Sequence, residues 1–187
     1  MKPDYLLNSN DQLTLLLKHK GVTTWNELTR LIKHLPYKRN TNRTDLSLVI
    51  IEQKGTCSSK HALLMHIANL NVIPDVKLIL GMFKMNANNT PKIRDVLNEN
   101  KVLFIPEAHC YLKINNERFD YTSSYSDFNR IKSDLLLEIE IEPHQVADFK
   151  VDYHKTFIKR WIKEHEISFN FDEIWKLREQ CIKNLSI

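Results

Sequence analysis

Cys57, His109 and Asp120 are of the three residue types that together activate a thiol. A thiol attacks only as the thiolate, and at neutral pH most unperturbed thiols are protonated. A histidine can take the thiol proton or hold the thiolate in an ion pair. An aspartate beside that histidine fixes the ring tautomer and stabilises the imidazolium. The chemistry such a set would perform is nucleophilic attack by sulfur.

The elements that must position these residues can be read locally. Gly55 permits a sharp turn, Thr56 or Ser58 can cap, and an apolar helix follows over residues 57–70. Cys57 is thereby expected at a helix N-terminus. There the first backbone N–H groups favour the thiolate, and the N–H of Cys57 is free to serve an oxyanion. Ala62, Leu63, Leu64, Ile67 and Ala68 leave the helix apolar on most sides, which predicts a central, buried element. A buried structural cysteine is the competing reading of Cys57.

His109 and Asp120 flank Asn115-Asn116, a pair suited to a two-residue hairpin turn because asparagine tolerates positive φ. That turn pairs Ile114 with Glu117, Tyr111 with Asp120 and His109 with Thr122. One face then carries Cys110, Leu112, Ile114, Phe119 and Tyr121, a core face. The other carries His109, Tyr111, Lys113, Arg118, Asp120 and Thr122 and makes His109 and Asp120 diagonal neighbours. A half-buried polar pair on a sheet is the competing reading.

Around these lie helices over residues 10–20 and 24–35, the second capped by Thr24 and closed by Pro36, and a polar loop over 37–45. A short apolar run spans 46–51, a strand 76–85 and a helix about 90–100 with Pro91 at its start. A strand at 135–141, ended by Pro143, precedes helices at about 152–166 and 172–185. Helices, then strands, then helices read as α+β in one domain over residues 1–187, with a core at about 22–142 and a helical extension at 143–187.

At 187 residues with 42% apolar and 27% charged residues, the chain can bury a core without disulfides or metal. Three irregularly spaced cysteines argue against a disulfide framework. Residues 1–8 lack a long apolar stretch, and no segment reaches the length of a membrane span, so a cytoplasmic home and no membrane partner are expected. The net charge of +4 is mild, and its small basic clusters read as solvated faces, with no nucleic acid expected. Loop 37–43 reads the same way, although beside the site its Arg and Asn side chains would face an acidic or amide substrate. Cys57 with His61 raises zinc, but neighbours His109 and Cys110 point to opposite sides of a strand and cannot share one ion. His61 and His66 read as surface or packed histidines. Cys110, Cys181, Trp161 and Trp175 read as core.

The order Gly-x-Cys opening a helix, Ala-His-x-Tyr-Leu, a short turn, and Arg-Phe-Asp-Tyr-Thr resembles the transglutaminase-like core, a branch of the papain-like fold, over residues 46–125. The resemblance implies an α+β core with the cysteine helix packed on an antiparallel sheet. It implies Cys57 as nucleophile, His109 as general base and then acid, and Asp120 as its orienting partner. The reaction would run through a thioester, with water or an amine taking the acyl group. A peptide, a protein side-chain amide or a small amide or ester would be the substrate, and no cofactor or metal is implied. Where many members carry an aromatic residue after the cysteine, this chain has Ser58. Where many carry tryptophan near the histidine, it has Cys110 and Tyr111. For the second oxyanion donor, usually upstream, Gln53, Tyr37 and Asn40 are candidates. The alternative is a binding module that keeps the fold without catalysis.

Overall fold

Side-chain caps start the helices at Gln12, Trp25 and Cys57 near the expected positions in the computed structural model, which describes residues 4–185. Residues 1–3 of the segment read above for a leader, and residues 186–187, lie outside the described residues. Asp11 caps α1 (Gln12–His19) by accepting from the Thr14 N–H at 2.9 Å, and Gly21, at φ +79°, follows its end. Thr24 and Glu27 form a reciprocal capping box on α2 (Trp25–His34). The apolar run before Cys57 is a one-turn helix, α3 (Leu48–Ile51), and α4 (Cys57–Leu70) starts on a second capping box, Thr56 with Ser59. A 3-10 turn at Pro91–Ile93 leads into α5 (Arg94–Glu99). The chain closes with α6 (Asp148–Glu164) and α7 (Phe171–Leu185).

Four antiparallel strands form one sheet in the order β3-β2-β1-β4. They are β1 (Val76–Asn86), β2 (Phe104–Ile114), β3 (Glu117–Phe119) and β4 (Leu135–Ile141). The fold is α+β, with the cysteine-bearing helix packed against this sheet. Asn115 and Asn116 both take positive φ (49° and 65°), and the hairpin has the expected register, with Ile114 opposite Glu117.

Two expectations about the hairpin are corrected. The first concerns its length: β3 ends at Phe119, so the pairs Tyr111–Asp120 and His109–Thr122 do not form. The backbone donors that would continue the ladder turn to side chains instead. The Tyr121 N–H donates to His61 Nε2 at 2.8 Å, and the Thr122 N–H to Asp120 Oδ1 at 2.9 Å. Before Leu112, β2 therefore pairs only with β1 and leaves an open edge beside His109. The second concerns the face opposite the expected core face, which carries His109 and is itself a core. Ile79, Phe83, Ile105 and Tyr111 form a second core there with Ile93, Val96, Leu97, Trp161, Ile174 and Leu177. α4 covers the first face, where Leu78, Leu80, Ala108, Cys110 and Leu112 meet Leu63, Leu64 and Ile67. The sheet is buried on both sides because the C-terminal helices fold back over it, and His109 emerges at the rim of their layer.

Gly55 serves the fold through space rather than through a turn. Its φ is not positive; Gln53 takes the left-handed conformation at +51°. A Cβ at Gly55 would stand 2.9 Å from Lys60 Cγ and 3.0 Å from Ser59 Oγ. The Lys60 stem cannot swing aside freely, because its buried ammonium donates to the carbonyls of Leu35 and Thr122. Gly55→Ala is expected to destabilise the protein by about 1–3 kcal/mol, the usual scale of overpacking. A urea melt that leaves the midpoint unmoved would show that the first turn of α4 has slack.

Candidate active site

Cys57 occupies the first position of α4, where its backbone N–H has no partner within the helix. The side chain is buried, at 6% exposure. Two tethers hold the approach to it. Tyr37 pairs with Gly55 in a short parallel bridge, in which Gly55 N–H donates to the Pro36 carbonyl and Lys38 N–H to that of Gly55. Lys60, one turn into α4, holds the end of α2 through Leu35 and the segment after Asp120 through Thr122.

His109 Nε2 lies 2.9 Å from Asp120 Oδ2, which leaves Nδ1 as the ring nitrogen to serve the Cys57 thiol, and thiol and imidazole are close enough to shift each other's charge. Cys57, His109 and Asp120, far apart in the chain, thus meet in one constellation. They line a cavity of about 510 Å³ together with Tyr37, Phe83 and residues 122–127.

A fourth group, absent from the sequence reading, completes the electrostatics. Lys150, on the first turn of α6, is 8% exposed and places Nζ 3.8 Å from Cys57 Sγ. It donates to Ser58 Oγ at 2.6 Å. Burial alone would push the Cys57 thiol up. The Lys150 charge and then His109 outweigh it and bring the thiol down to about 6. Burial alone would likewise lower His109, but the Asp120 charge and the thiolate raise it well above an ordinary histidine. The Asp120 carboxyl, which burial would raise, is held far below the usual carboxylate range, chiefly by His109. The arrangement at neutral pH is a thiolate between two cations.

Ser58 offered the one legible hint of this group. It stands where the resembling family carries an aromatic residue, and its hydroxyl receives the ammonium. Lys150 itself gave no signal, since α6 begins four residues earlier than the apolar period suggests and a buried lysine contradicts its residue type.

The three oxyanion candidates separate. Tyr37 lines the cavity beside Cys57, and its phenol, raised by burial and by the neighbouring thiolate, stays protonated as a donor. Asn40 instead braces its own loop, its amide donating to Leu48 O, Lys54 O and the Glu52 carboxylate. Gln53 is exposed and lines neither cavity that reaches Cys57.

His61, read as a surface or packed residue, is fully buried. Its Nδ1 donates to the Cys57 carbonyl at 2.7 Å while its Nε2 accepts from Tyr121. Cys110 and Cys181 are fully buried, and Trp161 nearly so. Among the described residues no group of three or more His, Cys, Asp or Glu side chains is arranged to hold a metal ion, and no helix is long and apolar enough to cross a membrane.

No family model and no curated protein matches the chain. Among solved structures it is similar to one from Cytophaga hutchinsonii, provisionally described as a cysteine protease, at 14% sequence identity and a TM-score of 0.37. The match covers 70% of this chain and 45% of that one, so the chain spans under half of that neighbour's length. A likeness this distant assigns neither family nor activity.

Proposed function

We propose that the chain is a cysteine-dependent hydrolase or acyltransferase of the transglutaminase-like kind, acting on an amide or ester. One observation carries the reading: a helix-opening thiol shares the wall of an open cavity with an imidazole whose Nε2 lies 2.9 Å from a carboxylate.

In this reading the Cys57 thiolate adds to the acyl carbon. The oxyanion is held by the Cys57 N–H and the Tyr37 hydroxyl. The C–N or C–O bond breaks as the His109 imidazolium gives its proton to the leaving atom, and a thioester remains on Cys57. Water or an amine then loses a proton to neutral His109, adds to the thioester and expels the thiolate, which restores the ion pair. Asp120 keeps Nε2 protonated throughout and so holds Nδ1 for this traffic.

The test is iodoacetamide labelling of Cys57 as a function of pH, read by peptide mass spectrometry. Wild type is expected to label down to about pH 6, well below an ordinary thiol near 8.5. His109→Ala is expected to lose much of this acid-side reactivity. Labelling confined to alkaline solution in the wild type would remove the nucleophile from the reading.

A further inference from the structure

Cys57 stands at the junction of two cavities, and they differ in chemistry. His109 and Asp120 line the first. The second, of about 540 Å³, shares Cys57 and Tyr37 with it but is lined by Ser58 and Lys150 instead of the histidine. We propose that this second cavity is the acyl-donor pocket and that it takes an acyl group bearing a carboxylate. The inference rests on the thioester reading above and names its substrate class.

The assignment of sides follows from the proton. His109 must reach the leaving atom to protonate it, so the leaving group departs along the cavity that His109 lines. The acyl group, bonded to Sγ, is then left to the Lys150 side.

The charge preference follows from what acylation does to Lys150. Its buried ammonium has a hydroxyl, Ser58, as its neutral partner, and the thiolate as the anion nearest its charge. Forming the S–C bond consumes the thiolate charge and removes the leaving group with the His109 proton. The lysine is then a buried cation without its adjacent anion, a costly state. A carboxylate on the acyl group restores the balance within the same cavity. The remaining lining has the matching sign. Of its other cations, Arg39 is paired with Glu179, and Arg178 with Glu107 and Glu179. Arg43 at the rim meets no carboxylate among the described residues, and Lys155 lies over the Trp175 ring. Loop 37–43, read from sequence as a solvated loop, forms one wall.

The probes are the aminomethylcoumarin amides of acetyl-glutamate and acetyl-glutamine, with kcat/KM as readout. The glutamyl amide is expected to be preferred roughly tenfold at low salt, the scale of one charge-assisted hydrogen bond. The ratio should fall toward one in Arg43→Gln/Lys155→Gln and in raised salt. A glutaminyl preference, or a ratio that the double variant leaves unchanged, would overturn the pocket while leaving the thioester reading intact. If neither amide is cleaved, Cys57 labelling by iodoacetate against iodoacetamide decides the matter. A faster rate for the anion that the double variant abolishes supports the pocket, and equal rates sink it. Absence of acid-side iodoacetamide labelling would remove the thioester reading itself, and the pocket with it.

Discussion

Replacing Lys150 with methionine is expected to slow iodoacetamide labelling of Cys57 at about pH 6 by roughly five- to fiftyfold, with rates converging above about pH 9. The sign comes from the balance at the thiol. Burial pushes its pKa up, and the Lys150 charge is the largest influence pulling it down to about 6. With that charge gone, His109 alone must hold the thiolate against desolvation. A rise of one to two units takes the thiolate at that pH from about half of the thiol to roughly a tenth or a hundredth of it. In alkaline solution both proteins are fully ionised, so the convergence shows that access to the sulfur is unchanged. Methionine keeps most of the lysine's length and apolar stem, so the fold should survive, which near-ultraviolet circular dichroism would check. Unchanged labelling at pH 6 in a folded variant would mean that the imidazolium suffices and that Lys150 is a bystander to the thiol.

Glu107→Ala is expected to cost about 3–5 kcal/mol of stability at neutral pH, the range for removing one partner of a buried ion pair. Glu107, two residues before His109, accepts from Arg178 Nε at 2.8 Å and Nη2 at 2.7 Å, with both side chains largely buried. This clamp binds α7 to the strand that carries the histidine. Burial would raise the Glu107 carboxyl, but the Arg178 charge brings it down to about 2. A depressed folded-state pKa means that the contribution is complete above the ordinary carboxylate range, near 4.3, and is lost as pH falls toward 2. The gap between wild-type and variant urea midpoints should therefore be wide at pH 7 and narrow in strong acid. Adding Arg178→Met should recover part of the loss, because much of it is the buried guanidinium left with only its Nη1 bond to Glu179. A small, pH-independent loss would contradict the pairing.

Local chemistry explains which parts of this architecture were legible. The hairpin register could be read because two asparagines select the turn and an apolar face excludes the slipped alternatives. Cys57 could be placed because Thr56 caps its helix. Lys150 could not be found this way: the stretch from Pro143 to Lys150 contains a 3-10 turn that hides the helix start. Its burial depends on a counter-ion far off in sequence. The second core was also hidden. Tyr111 alternates with core residues as an outward residue should, and α5, the segment with Phe128 and Ile131, and the C-terminal helices, arriving from both sides of it in the chain, make its face an interior. Gly55 was noticed for the wrong reason, since the close approach that demands a glycine comes from a side chain five positions later.

His61 ties the nucleophile's helix to the aspartate's segment in a way that depends on its proton count. A carbonyl can only accept and an amide N–H can only donate, so the ring between Cys57 O and Tyr121 N–H must be the neutral Nδ1–H tautomer. A second proton would set two donors face to face in a dry interior. Burial accordingly lowers its pKa to about 4, below the unfolded value near 6.5. The stability this latch contributes is whole above about pH 6.5 and drains away as the medium approaches pH 4. Acid thus loosens the Asp120 side of the site through a residue that takes no part in the proposed chemistry, and the latch is fully lost only after the thiol, at about 6, has taken up its own proton. The lower pH limit of the site is set by the charge of its nucleophile before it is set by the integrity of its frame.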